Sequence, residues 1–283
     1  MMERINWKNG TTEKKVAKFY GHGVEKFGDF HKGYLNFGLW EEGNQDYIQA
    51  AENLIHRLGE LLELDQAKKL LDVACGMGAQ DIYLMENFPV QDITCLDLLY
   101  EHLEYGKKRA EKSGLLDKIK FTHGTATALP FDKESFDRVL CVEGLIHFNT
   151  RNKFFEQAYD CLKEDGVLVV SDYCLNGTLS KKWQQLTVGA TCKMWNIPQE
   201  NVSTIEHYKK TLSDIGYKSI EIYPVGKKVI PGYFKEQNSK ECLKEIEKIR
   251  GFVAGRLGHV IDHAVYRSFK FGLIDYILVK ARK

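Results

Sequence analysis

Short apolar runs alternating with helical stretches constrain this chain more than any other feature of its sequence. LLDVAC (70–75), ITCLDL (93–98), KIKFTHG (118–124), FDRVLCVE (136–143) and GVLVVSDYC (166–174) are β-rich, and helix-like segments at about 79–87, 100–113 and 151–164 lie among them. Strands spaced by helices of that length build βαβ units, which predicts an α/β fold with a doubly wound, mostly parallel sheet covered on both faces. From Asp46 to Leu64, Ala50, Ala51, Leu54, Ile55, Leu58, Leu61 and Leu62 recur at three- and four-residue spacing, so an amphipathic helix leads into that core. After Cys174 the rhythm changes: helices over 178–196 and 204–215, a strand at 219–225, one or two long helices over 239–270, and a closing strand at 275–282. The expected division is an amino-terminal helical lid (1–44), a ligand-binding core (45–174), and a remainder (175–283) that adds the last strands and helical cap insertions. Such insertions belong over the carboxyl edge of the sheet, where ligands bind.

Composition narrows the partners. Forty Lys and Arg against 39 Asp and Glu leave a net charge of +1, so no global field gathers nucleic acid. No apolar run approaches the ~18 residues of a bilayer span, and the opening MMERINWKNG lacks the apolar stretch of a signal peptide. Seven cysteines at 75, 95, 141, 161, 174, 192 and 242 form no C-x-x-C pair. They read as reduced thiols of a cytoplasmic protein, with neither a disulfide framework nor a metal requirement. A homodimer is compatible with this reading.

Directly after the first strand stands D-V-A-C-G-M-G-A-Q-D, Asp72 to Asp81. Gly76 and Gly78 lack the Cβ that would keep a ligand from the backbone. A dinucleotide fingerprint wants a small residue at the sixth position of G-x-G-x-x-G, yet Asp81 stands there, and a carboxylate would repel a pyrophosphate. That argues against a nicotinamide-dependent oxidoreductase. Asp72, inside the strand, suits a ligand with a cationic amino-acid tail, and Asp97, 21 residues after Gly76, suits ribose hydroxyls. The plainer alternative is a tight turn and a helix cap.

These segments resemble the class I S-adenosylmethionine-dependent methyltransferases. LLDVACGMG is similar to the first motif, with Ala74 where glycine is commoner, and ITCLDLLYEHLEYGKKRA to the second, ending its strand in Asp97. THGTATALPFDKESFDRV resembles the third, with Thr125 in place of an aspartate that contacts adenine, and LKEDGVLVVSDY (162–173) resembles the stretch around the fifth strand. The resemblance implies a seven-stranded Rossmann-like fold that binds S-adenosylmethionine and releases S-adenosylhomocysteine. It carries cofactor contacts to Asp72, Ala74, Gly76, Gly78, Asp97, Leu98, Thr125, Ala126, Val142 and Tyr20. CVEGLIHF (141–148) and HKGYLNFGLWEEG (31–43) are similar to a subgroup that includes macrolide-sugar O-methyltransferases and sterol and tocopherol methyltransferases, which implies a small, partly apolar acceptor.

On the acceptor side, His147 is the candidate base for a hydroxyl, since a histidine of ordinary pKa near ~6.5 accepts a proton at neutral pH. The alternative is a structural residue before the helix that starts near Thr150. Glu143 reads either as a pocket acid or as a strand-end residue bonded to loop amides. Ile146 occupies the place of a glutamate in fatty-acid cyclopropane synthases, which disfavours that chemistry. Eight aromatic residues (Trp7, Phe19, Tyr20, Phe27, Phe30, Tyr34, Phe37, Trp40) crowd the first 40 positions and suggest a lid, with Tyr20 and Trp40 foremost. Trp40, Tyr34 and Tyr233 are candidate substrate contacts, and in VIPGYFKE (229–236) Pro231 and Gly232 predict a turn before a helix. The leading reading is O-methylation of a small molecule. N- or C-methylation, or a non-catalytic S-adenosylmethionine-binding protein, are the alternatives.

Overall fold

Strand β1 (Lys69–Val73) buries every side chain after its first residue, as a strand covered on both faces must. In the computed structural model, which describes residues 12–21, 24–41, 46–64 and 69–283, β1 pairs in parallel with β2 (Asp92–Asp97) and β4 (Phe136–Val142). Beyond them lie β3 (Ile119–His123) and β5 (Leu162–Leu175), also parallel. Strand β7 (Ile274–Arg282) runs antiparallel between β5 and β6 (Lys218–Pro224), completing a seven-stranded sheet of order β3-β2-β1-β4-β5-β7-β6. The order reverses between β1 and β4, which opens a crevice at their carboxyl ends. Trp7 and the side chains of Phe19 and Phe27 lie outside the described residues.

Successive strand residues serve opposite faces. Leu70, Ile93, Leu140 and Val169 pack with α3 (Tyr47–Leu61), α4 (Ala79–Asn87) and α5 (Tyr100–Lys112) through Leu54, Ile55, Leu58, Leu84 and Leu103. Their neighbours Leu71, Val139, Leu168 and Val170 meet Phe154 and Phe155 of α6 (Arg151–Cys161) and Leu212 of α8 (Ile205–Ile215). Each fully buried aliphatic or aromatic side chain contributes roughly 1.5–3 kcal/mol, so a one-residue slip in any strand would be prohibitive. Asp46 starts α3 by accepting the Gln49 amide at 2.9 Å.

The cap consists of α1 (Thr12–Tyr20), α2 (Val24–Phe30), α7 (Lys182–Met194), α9 (Gly226–Gln237), α10 (Lys240–Arg250) and α11 (Phe252–Lys270). Gly251, at φ +82°, separates α10 from α11, so the long helical stretch is two helices. Among the described residues, no helix is long and apolar enough to cross a membrane.

Residues 229–236 differ from the expected turn. Pro231 lies inside α9, because Val229 and Ile230 are buried in the main core and packing outweighs the proline's missing donor. Trp40 seals the arrangement: its amide donates to the Lys228 carbonyl at 2.7 Å, its indole N–H to the Phe37 carbonyl at 2.9 Å, and its ring lies on Gly232. A Cβ on Gly232 would fall 2.2 Å from that ring. Gly232→Ala should therefore cost ~1–3 kcal/mol, a melting temperature lower by several degrees in thermal unfolding, and Trp40→Leu in the same chain should remove most of the penalty. Additive losses in the double mutant would show that ring and helix do not press on each other.

Candidate active site

Three left-handed residues shape the turn after β1: Ala74 (φ +63°), Gly76 (φ +57°) and Gly78 (φ +71°). The Ala74 and Cys75 amides both donate to the Leu96 carbonyl, at 2.8 and 3.2 Å, and the Gly76 amide donates to Asp97 Oδ2 at 2.9 Å. Asp97 Oδ1 accepts the Leu99 amide at 2.8 Å, so one carboxylate ties the glycine turn to the start of α5. Oδ2 keeps a second acceptor site, while His102 Nδ1 stands 3.5 Å from Oδ1. Above them a cavity of about 260 Å³ spreads over the carboxyl ends of β1, β2 and β4, with Ala74, Gly76, Asp97, Leu98, Thr125, Ala126 and Val142 along it. A carboxylate with spare acceptor capacity beside apolar walls fits the nucleoside half of S-adenosylmethionine. Gly76 supports the fit, since a Cβ there would project to 3.1 Å from Leu35 at the cavity wall.

Asp72 and Gly78 are not among the described cavity-lining residues, and Asp72 lies fully buried below the floor. It accepts a hydrogen bond from Gln80, and burial, with Asp81 beside it, raises its pKa well above the carboxylate range. Gln80 lines the cavity, so Gln80 rather than Asp72 is the polar group presented there. Asp81 also differs from expectation. The first turn of α4 carries it into the sheet, where its carboxylate and the Cys75 and Cys95 sulfurs lie within 4.8 Å of one another, and burial raises it to about 6. It does not face the open side of the turn, so repulsion of a bound pyrophosphate is not its effect. Burial also raises both thiols, which keeps them protonated.

The other half of the cavity grows from the end of β4. Glu143, at φ +58°, accepts the Phe37 amide at 2.8 Å and the Tyr276 hydroxyl at 2.7 Å, both at Oε1. It thus meets a loop amide and lines the cavity at once, and burial raises it to about 7. Next comes a short 3-10 turn, Leu145–His147, that Asn201 clamps: its amide donates to the carbonyls of Leu145 (3.2 Å), Ile146 (3.1 Å) and Phe148 (2.8 Å). His147 Nε2 lies 2.8 Å from the Tyr20 hydroxyl of α1, and Nδ1 is enclosed without a hydrogen-bond partner. Burial lowers the imidazole to about 4, well under the ordinary value expected from sequence, so it is neutral throughout the physiological range.

Aromatic rings wall this half. Phe37 stacks on Tyr233 at 3.7 Å and meets Tyr173 and Trp195 edge-on at 5.7 and 5.8 Å, while Trp195 lies parallel to His147 at 6.3 Å. Tyr34 also lines the cavity, donating to Glu52 at 3.3 Å. Trp40, packed on α9, is not among the described lining residues. Sequence reasoning missed Gln80, Tyr173, Trp195, Asn201 and Tyr276. Gln80 and Tyr173 stood inside motifs already singled out, whereas Trp195, Asn201 and Tyr276 stood in none.

Residues 71–170 match the family model described as a methyltransferase domain. Erythromycin 3''-O-methyltransferase of Saccharopolyspora erythraea is 32% identical, over 92% of this chain and 88% of the relative. The 27-O-demethylrifamycin SV methyltransferase of Amycolatopsis mediterranei is 27% identical, over 96% and 98%. Among solved structures, a putative sarcosine dimethylglycine methyltransferase from Galdieria sulphuraria superposes with a TM-score of 0.80 at 15% identity, over 92% of this chain and 98% of that one.

Two backbone positions in the site are coupled. A Cβ on Gly144 would lie 2.7 Å from the Ala74 methyl, so the alanine in the first turn demands glycine after Glu143. Gly144→Ala, which also crowds Phe148 (3.0 Å) and Cys141 (3.1 Å), should destabilise by ~1–3 kcal/mol, and Ala74→Gly, which relieves a left-handed alanine worth about 1–2 kcal/mol, should recover part of it. A double-mutant cycle by urea unfolding checks this, with near-zero coupling as the contrary result.

Proposed function

The chain belongs to the S-adenosylmethionine-dependent methyltransferases, and we propose that it transfers the methyl to a hydroxyl oxygen of a small, partly apolar acceptor. One observation carries the choice of oxygen: a neutral imidazole, His147, stands at the carboxyl edge of β4 inside an aromatic-walled cavity. The two relatives named above carry an oxygen position in their names, which supports it.

In this reading Asp97 accepts the ribose hydroxyls, while Leu98, Thr125 and Ala126 flank the adenine and Ala74, Gly76 and Val142 leave room for the rest of the cofactor. S-Adenosylmethionine supplies a methyl activated by a sulfonium charge. Glu143 and the rings of Phe37 and Tyr233 favour that charge in a dry site and orient the acceptor. As the oxygen–methyl bond forms and the sulfur–methyl bond breaks, the hydroxyl proton becomes strongly acidic, and His147 takes it. A base held near 4 is weak enough to stay neutral beside a sulfonium, yet strong enough for a proton on an oxygen gaining positive charge. Tyr20, on His147 Nε2, serves as the contact through which the amino-terminal lid closes, and 175–283 supplies the rest of the cap. A net charge of +1 supports a reading without a nucleic-acid partner, and seven free thiols support a cytoplasmic one.

Asp97→Ala should weaken S-adenosylmethionine binding by one to two decades, from charge-assisted bonds worth ~1.5–3 kcal/mol at ~1.4 kcal/mol per decade, read by calorimetry. Unchanged affinity in a folded variant would remove Asp97 from the ribose.

His147→Ala should lower kcat by ~10²–10⁴ with cofactor affinity intact. Because the imidazole is neutral down to about 4, the ratio of wild-type to variant kcat should be constant from pH ~5.5 to ~8.5. A ratio that climbs tenfold through pH ~6.5 would mean a solvated histidine with an ordinary pKa, and near-normal turnover would return His147 to a structural role.

A further inference from the structure

A second, smaller cavity of about 50 Å³ adjoins the acceptor half, and Ile146, Tyr173 and Trp195 line both. Apolar side chains, among them Val188, Val202, Val265 and Ile274, make up much of its own wall, beside Arg151, Thr191, Asn201, Ser203 and Ser268. Two residues of the shared wall each carry a polar atom enclosed without a hydrogen-bond partner, the Tyr173 hydroxyl and the Trp195 indole N–H. The two rings meet edge-on at 6.4 Å, and Trp195 lies parallel to the His147 ring. An orphaned buried donor is costly to a fold, and two on one cavity wall are what a ligand atom would satisfy. An indole N–H can only donate, so the atom that answers it is an oxygen with a lone pair and no obligatory proton.

Resting on the methyl-transfer reading above, the geometry points to a specificity subsite. Tyr173 and Trp195 donate to a carbonyl or ether oxygen beside the reacting hydroxyl, and an alkyl branch next to that oxygen enters the small cavity. The preferred acceptor class is thus an oxygenated aliphatic molecule with a hydroxyl, a neighbouring lone-pair oxygen and a branched alkyl substituent, as against a simple alcohol or an amine.

The test uses two small probes with the full chain saturated with S-adenosylhomocysteine: 2-hydroxy-5-methylhexan-3-one, and 5-methylhexan-2-ol, which lacks only the carbonyl. The sequence has four tryptophans, so the Trp195 indole signal is assigned in a ¹H–¹⁵N spectrum by its loss in Trp195→Phe. The hydroxyketone should shift that signal downfield and bind about tenfold tighter than the alcohol. Trp195→Phe and Tyr173→Phe, each with unchanged affinity for S-adenosylhomocysteine, should each remove most of the hydroxyketone's advantage over the alcohol. Equal binding of the two probes by the wild type, no perturbation of Trp195, or an advantage that survives in both variants would overturn the subsite. Methyl transfer is followed separately as a +14 mass product. Discrimination without transfer to any hydroxyl would remove the O-methylation reading and keep the subsite, whereas transfer without discrimination would do the reverse.

Discussion

Arg151 is the side chain from which the acceptor half of the cavity hangs. Its Nε stands 2.7 Å from Asp172 of β5, one guanidinium nitrogen donates to Ser203 at 3.0 Å and another to the Tyr173 carbonyl at 3.4 Å. The guanidinium also lies 5.0 Å from the centre of the Tyr208 ring. Both charges are almost fully buried, so loss of either would strand the other at a cost of ~3–5 kcal/mol. Through its own amide, which donates to Asn201 at 2.9 Å, the same residue fixes the clamp on the Leu145–His147 turn. His147, Tyr173 and the 199–203 segment are thereby set relative to one another by a single buried cation.

A charge logic runs through the carboxyls in and below the cavity. Glu143 is raised from its ordinary 4.5 to about 7, and Asp81 from 3.8 to about 6, in both cases first by burial. A carboxyl whose folded pKa exceeds its unfolded value supports the fold fully below the unfolded pKa and loses that support as pH climbs through the folded one. The empty protein therefore loses stability between roughly pH 4 and 7 from these two groups. A cationic ligand beside Glu143 reverses that contribution, because it favours the ionised form.

The sheet was legible because burial on both faces forces continuous apolar runs, and the helices between them keep their own period. Six of the seven strands lie within two residues of the bounds read from sequence, while β5 starts four residues earlier, at Leu162. Residues 229–236 misled because Pro231 and Gly232 are local turn signals, whereas the burial of Val229 and Ile230 and the shape of Trp40 are tertiary facts. In the site, Ala74, Gly76 and Asp97 were readable from one contiguous motif. Asn201, Trp195 and Tyr276 were not, since each comes from a distant segment and carries no local pattern. The same holds for His147, whose position was legible but whose low pKa belongs to its surroundings.

Strand β7 follows every other strand in the chain yet lies inside the sheet, between β5 and β6. Its Tyr276 supplies one of the two donors on Glu143, and its Arg282 and Lys280 close on Glu63, just beyond the helix that opens the core. During synthesis β5 and β6 would emerge first with a gap between them, and the cavity's acid would lack half of its support. The acceptor half of the cavity thus depends on the last strand to join the sheet, whereas the turn after β1 and its bond to Asp97 do not.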